Sequence, residues 1–77
     1  MFGCFEMEQA AKAIVAACVK NQDNWETAIT LDTFKTADEQ DGFLDLLHNG
    51  WMNDRGYGSG VFYPRPSFID KVLRRDD

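Results

Sequence analysis

Histidine, cysteine and proline are scarce in this 77-residue chain, and bases are scarce in its first two-thirds. His48 is the one histidine, and Cys4 and Cys18 form no Cys-x-x-Cys pair. Four nitrogen and sulfur ligands for a structural zinc ion cannot be assembled from that set, so no metal or cofactor is expected. The two thiols could close at most one disulfide. Cys18 lies among apolar helix residues, where reduced thiols are common, so two free cysteines are expected, as suits a cytoplasmic protein. The longest apolar run covers residues 13–19, far short of the ~20 residues that span a bilayer. The opening Met-Phe-Gly-Cys-Phe-Glu-Met-Glu has acids where a signal peptide has bases. Neither membrane insertion nor secretion is expected.

What is present is the balance of a soluble globular chain, with 44% hydrophobic and 27% charged residues. The length suits a single domain over 1–77, with no room for a separate substrate domain. Folding at this size hides only ~60% of the unfolded chain's surface, so the core is small. The formal net charge is −5 and unevenly placed. Residues 1–50 hold nine acids against three lysines, whereas residues 51–77 are slightly basic.

The stretch Glu-Met-Glu-Gln-Ala-Ala-Lys-Ala-Ile-Val-Ala-Ala-Cys-Val-Lys predicts a helix from about Phe5 to Lys20. Met7, Ala11, Ile14 and Cys18 recur at helical spacing, with Val15 and Val19 widening the stripe. A polar break at residues 21–24 follows. Trp25, Thr27, Ile29 and Leu31 then alternate as in a short strand, although Phe34 leaves a helical turn over residues 31–35 equally open. Thr36 caps a second helix, with Glu39 reaching back to the Thr36 amide and Phe43, Leu44, Leu46 and Leu47 as the apolar face. Gly42 inside it costs ~1 kcal/mol relative to alanine. Asn49-Gly50 is a left-handed stop. Trp51-Met52-Asn53 and Gly60-Val61-Phe62-Tyr63 bracket a glycine-rich loop as a hairpin that ends at Pro64. Ser67 caps a final helix over residues 68–75, with Phe68 and Val72 on one side. The fold class is therefore α+β: three helices with a short β-hairpin.

That order, with Leu-Leu-His-Asn-Gly-Trp-Met before the glycine-rich loop and Gly-Val-Phe-Tyr-Pro after it, resembles a compact winged-helix domain over residues 28–75. Leu47, Gly50 and Trp51 stand where that family opens its wing, and Val61, Phe62 and Tyr63 resemble the returning strand. The resemblance implies DNA binding through the helix before the hairpin. The residues argue otherwise, because that helix carries Asp38, Glu39, Asp41 and Asp45 and no lysine or arginine. Nucleic-acid affinity comes mainly from bases neutralising phosphates, so direct nucleic-acid contact is the lesser expectation.

Catalysis finds little support. Asp45 and His48 could form an acid–base pair at helical spacing, but no nucleophile is placed beside them. Gly56-Tyr57-Gly58-Ser59-Gly60 is followed by a strand-like segment, whereas phosphate loops need a following helix. Arg55, Tyr57, Tyr63 and Arg65 form a basic and aromatic cluster of residue types enriched at binding hot spots, with Trp51 and Phe62 as further anchors, yet a solvated loop would also carry them. The acids of residues 38–45 are either a solvated face or a docking surface for a basic partner.

The expected function is that of a non-enzymatic protein-binding module or inhibitor. Its partner-binding residues are Asp38, Glu39, Asp41, Asp45, Trp51, Arg55, Tyr57, Phe62 and Arg65, and its partner is a basic surface such as that of a nucleic-acid-binding protein or complex. Compact acidic domains of this kind resemble phage inhibitors, including anti-CRISPR proteins. The alternative is a winged-helix transcriptional regulator that holds DNA through Arg55, Arg65 and the terminal arginines as a homodimer.

Overall fold

The computed structural model describes residues 2–56 and 58–73. Three helices, α1 (Phe5–Lys20), α2 (Ala37–His48) and α3 (Pro66–Leu73), enclose one core with an antiparallel hairpin of β1 (Met52–Asp54) and β2 (Phe62–Pro64). This is the α+β arrangement expected from the sequence. Its strands pair in the register Met52 to Pro64, Asn53 to Tyr63 and Asp54 to Phe62.

The main packing event is α2 against the start of α1. Met7, Ala10, Ala11, Ile14 and Cys18 line the inner side of α1, and Gly42, Phe43 and Leu46 that of α2. Gly42 has a specific reason to be glycine. A β-carbon placed there would lie 1.8 Å from the carbonyl oxygen of Glu6 and 2.9 Å from the amide nitrogen of Met7. Backbone meets backbone, so no side chain can rotate away to make room. The intrinsic helix penalty of this glycine is offset by the close approach that it permits.

Phe43, now at the centre, stacks on Phe34 with ring centroids 4.6 Å apart and meets the edge of Phe62 at 5.3 Å. A second aromatic group closes the opposite end. Phe2 stacks on Phe68 at 5.4 Å and stands edge-on to Trp51 at 5.3 Å, with the Lys71 ammonium over both the Phe2 and Trp51 rings. The Phe2 amide donates to the Glu8 carboxylate at 2.6 Å, which ties the segment before α1 to its first turns.

Helix ends follow local rules with small departures. The Glu39 amide donates to the Thr36 hydroxyl at 3.1 Å, as expected of a cap. The Glu39 carboxylate, however, accepts from the Lys35 amide at 2.8 Å rather than from that of Thr36. At the far end the Gly50 amide donates to the Leu47 carbonyl and the Trp51 amide to that of Leu46, with Gly50 at φ +78°. That double closure is a Schellman stop. It also uses the Trp51 amide, so β1 begins one residue later than expected. The third helix starts at Pro66 rather than after Ser67, because proline's fixed φ suits a first helical position and its missing N–H is not needed there; the Phe68 and Ile69 amides both donate to the Arg65 carbonyl. Its expected continuation to residue 75 lies outside the described residues.

The strand expected over residues 25–31 does not form. Only Ile29 bridges Phe62, through paired 2.8 Å hydrogen bonds that add one rung beside β2. Residues 31–33 turn instead into a short 3-10 segment, where the Thr30 amide donates to the Thr33 hydroxyl at 3.2 Å. Local side-chain bonds of this kind compete with a ladder for the same amides. Two residues assigned to apolar faces, Val19 and Leu44, are about half exposed. In a chain this small, each helix face meets only one narrow strip of core.

Two predictions follow from this packing. Gly42→Ala should lower stability by about 2–3 kcal/mol in urea titration despite alanine's better helix propensity, because overpacking against a rigid backbone outweighs the propensity gain. Glu8 supplies the second. Burial pushes its carboxyl up, but the Phe2 amide, then the chain's amino group and last the Lys12 charge together outweigh that and leave it below its ordinary value of 4.5. Its contribution is therefore fully present above the unfolded value and lost as pH falls through the folded one. The gap in melting temperature between the native chain and Glu8→Gln should narrow between about pH 6 and about pH 3.

Candidate protein-docking surface

Once Gly42, Phe43 and Leu46 are turned inward, the helical repeat fixes where the acids go. Asp38, Asp41 and Asp45 are spaced three and four residues apart, so they share one face of α2, and all three are exposed. None of the described lysines or arginines forms an ion pair with them. Glu39 stands apart: it is half-buried and engaged with the Lys35 amide. Local physics accounts for two of the four acids. Glu39 completes the cap, and Asp38 in the first turn is favoured by the helix dipole. Asp41 has no such support, and Asp45 lies within the last four helical residues, where a negative charge is disfavoured.

The hairpin residues expected to act as anchors are dispersed. Phe62 is half-buried, edge-on to Phe43 and bonded through its backbone to Ile29, so its ring belongs to the core. Trp51 is half-buried against Phe2 beneath Lys71. Arg55 is exposed at the hairpin tip and held from two sides. Its guanidinium donates to the Glu26 carbonyl at 2.5 Å and lies 5.2 Å from the centre of the Tyr63 ring. Arg65 is exposed, with its amide donating to the Trp51 carbonyl. Tyr57 lies outside the described residues. The sequence groups Tyr63 with Arg55 and Glu26 with the acids, but gives no sign that Glu26 meets Arg55; the three line a small polar hollow. A separation of 29 residues between Glu26 and Arg55 left no local signal of that meeting.

In the glycine-rich loop the Gly56, Ser59 and Val61 amides are already taken within the loop. The Asp54 carboxylate accepts from the Gly56 amide at 3.1 Å and from the Ser59 hydroxyl at 3.4 Å, while the Val61 amide donates to the Ser59 hydroxyl at 3.2 Å. A carboxylate already occupies the position a phosphate oxygen would need, and β2 follows where a helix would be required.

Among the described residues the candidate acid–base pair of Asp45 and His48 shares no hydrogen bond. Both cysteines are free, and burial pushes the Cys18 thiol up, with only partial relief from the Thr27 hydroxyl. A raised thiol is mostly un-ionised and a poor nucleophile. Among the described residues no cluster of three potential ligands could hold a metal ion, and no helix is long and apolar enough to cross a membrane.

The arrangement defines a small α+β domain with an acidic helix face and a pinned arginine at the hairpin tip. No family model, curated protein or solved structure matches the chain.

Phe62 and Arg55 should separate in mutagenesis. Phe62→Ala removes a ring from the core and should cost about 2 kcal/mol in denaturant titration. Arg55→Ala removes an exposed side chain and should cost less than about 1 kcal/mol.

Proposed function

We propose that the chain is a non-enzymatic protein-binding module whose acidic α2 face docks on a basic protein surface. The observation that carries this reading is the shared exposure of Asp38, Asp41 and Asp45 with no ion pair to a described lysine or arginine, two of them at positions that helix formation does not favour. Like charges held on one face create a field that attracts lysine and arginine and repels phosphate. The acids lie on a rigid helix whose inner side is fixed by the Gly42 contact, so little ordering entropy is lost on docking. Arg55, already immobilised by Glu26 and Tyr63, is a second contact of low entropic cost.

A basic surface of this description is typical of proteins that hold nucleic acid, and competition for such a surface would make the chain an inhibitor of nucleic-acid-binding machinery. This is the chemistry of phage-type inhibitors such as anti-CRISPR proteins, and the intracellular setting expected from the reduced cysteines agrees with it.

Affinity capture from the native host's lysate, with nuclease and at low and high salt, tests the reading. The bound protein should be basic, should elute as salt rises, and should be lost when Asp38→Asn, Asp41→Asn and Asp45→Asn are combined. Retention of the same protein by the triple variant would sink the acidic-face mechanism. Tight duplex-DNA binding that weakens with Arg55→Ala and Arg65→Ala would replace it with the DNA-binding alternative.

A further inference from the structure

Among the chain's four asparagines, Asn21, Asn24, Asn49 and Asn53, only Asn49 is followed by glycine. Asparagine is thermally labile, because the next residue's backbone nitrogen can attack its side-chain carbonyl carbon. A glycine in that place has no β-carbon to obstruct the approach. Asn21 and Asn24 are followed by the bulkier Gln22 and Trp25, and Asn53 by Asp54 inside the hairpin ladder.

The fold decides whether that chemistry is reachable. Asn49 and Gly50 end α2, and both are exposed. The space beside Gly50 is open: a β-carbon placed there would meet nothing within 4 Å. Terminal hydrogen bonds hold the reacting groups apart. The Gly50 amide donates to the Leu47 carbonyl at 3.2 Å, and the Asn49 side-chain amide donates to the Asp45 carbonyl at 2.8 Å. Helix ends open at far lower cost than helix interiors, and losing these two contacts frees both groups. Asp41-Gly42 is the contrasting pair. It lies within α2, with Gly42 buried against the Glu6 carbonyl, so its backbone cannot turn toward the side chain.

We propose that Asn49 is a site of spontaneous deamidation, whose product adds a carboxylate to the exposed acidic row of α2 and loosens the stop before β1. The Gly50 nitrogen gives its proton to water and bonds to Cγ of Asn49. The Cγ–Nδ2 bond breaks, and Nδ2 takes up a proton and leaves as ammonia. Water then opens the resulting succinimide at one carbonyl or the other. The product is aspartate, or isoaspartate, in which the main chain runs through Cβ and Cγ. One ammonia is lost and one water gained, with no oxidant or reductant.

Asn49 follows Asp45 by four residues, so the new carboxylate continues the row Asp38, Asp41 and Asp45. It also lies at the helix C-terminus, where the dipole disfavours negative charge, and it can no longer donate to the Asp45 carbonyl. In the isoaspartate form the added main-chain carbon displaces the Gly50 and Trp51 amides from the Leu47 and Leu46 carbonyls. The modification is independent of what the acidic face docks on.

Peptide mapping by mass spectrometry tests this on the full chain, incubated folded in warm neutral buffer beside a sample unfolded in urea. The folded chain should form acid at Asn49 at least about tenfold faster than at Asn21, Asn24 or Asn53, a barrier lower by about 1.4 kcal/mol. Asn49→Asp reproduces the aspartate product. It should elute later from an anion exchanger and melt about 4–8 °C below the native chain. Asn49 remaining an amide in the folded chain, whether or not the unfolded sample converts, overturns the site. So does conversion at equal rates at all four asparagines. A melting temperature unchanged by Asn49→Asp overturns the loosened stop.

Discussion

The contact between the backbone at Gly42 and the carbonyl of Glu6 is the constraint on which the rest of this small protein depends. It lets α2 lie almost directly on the first turns of α1, close enough that Phe43 reaches the centre of the molecule and stacks on Phe34. In a chain of 77 residues the core has few side chains to spare. Losing one ångström of approach at this point would open a gap that nothing nearby could fill. The glycine also fixes rotation: with Gly42, Phe43 and Leu46 inward, the 3.6-residue repeat sends Asp38, Asp41 and Asp45 outward together.

The aromatic residues complete the enclosure from two ends and explain why so short a hairpin is retained. Three paired residues per strand would not be stable alone. Here β2 delivers Phe62 against Phe43 and receives Ile29 as an extra rung, and Trp51 is held by Phe2 and Lys71. Residues that look like surface anchors in the sequence are therefore spent on folding. What stays exposed is the acidic face of α2, Arg55 at the hairpin tip and Phe5 on α1.

Much of the architecture was legible in the sequence because it follows from local rules. The first helix has uninterrupted helix formers, the second has Thr36 at its start and Gly50 at its stop, and the proline-bounded hairpin is marked by glycine. Between a strand over residues 25–31 and a helical turn from residue 31 the sequence does not choose; alternation alone supplies no neighbour, only Ile29 finds one, and residues 31–33 take the turn. Leu44 was placed inside because periodicity gives a stripe without saying how wide the core beneath it is, and Leu44 falls beyond its edge.

The sequence by itself determined that the second helix is acidic and that its acids share a face, since charge and helical repeat are properties of the chain. Tertiary structure alone decided that Gly42 is a contact point rather than a weakness, and that Phe62 is core rather than anchor. It also decided that Arg55 is tied to Glu26 and Tyr63. Each of these depends on residues distant in the chain arriving at one place. Their meeting is set by how rigid elements pack, and no local preference encodes it.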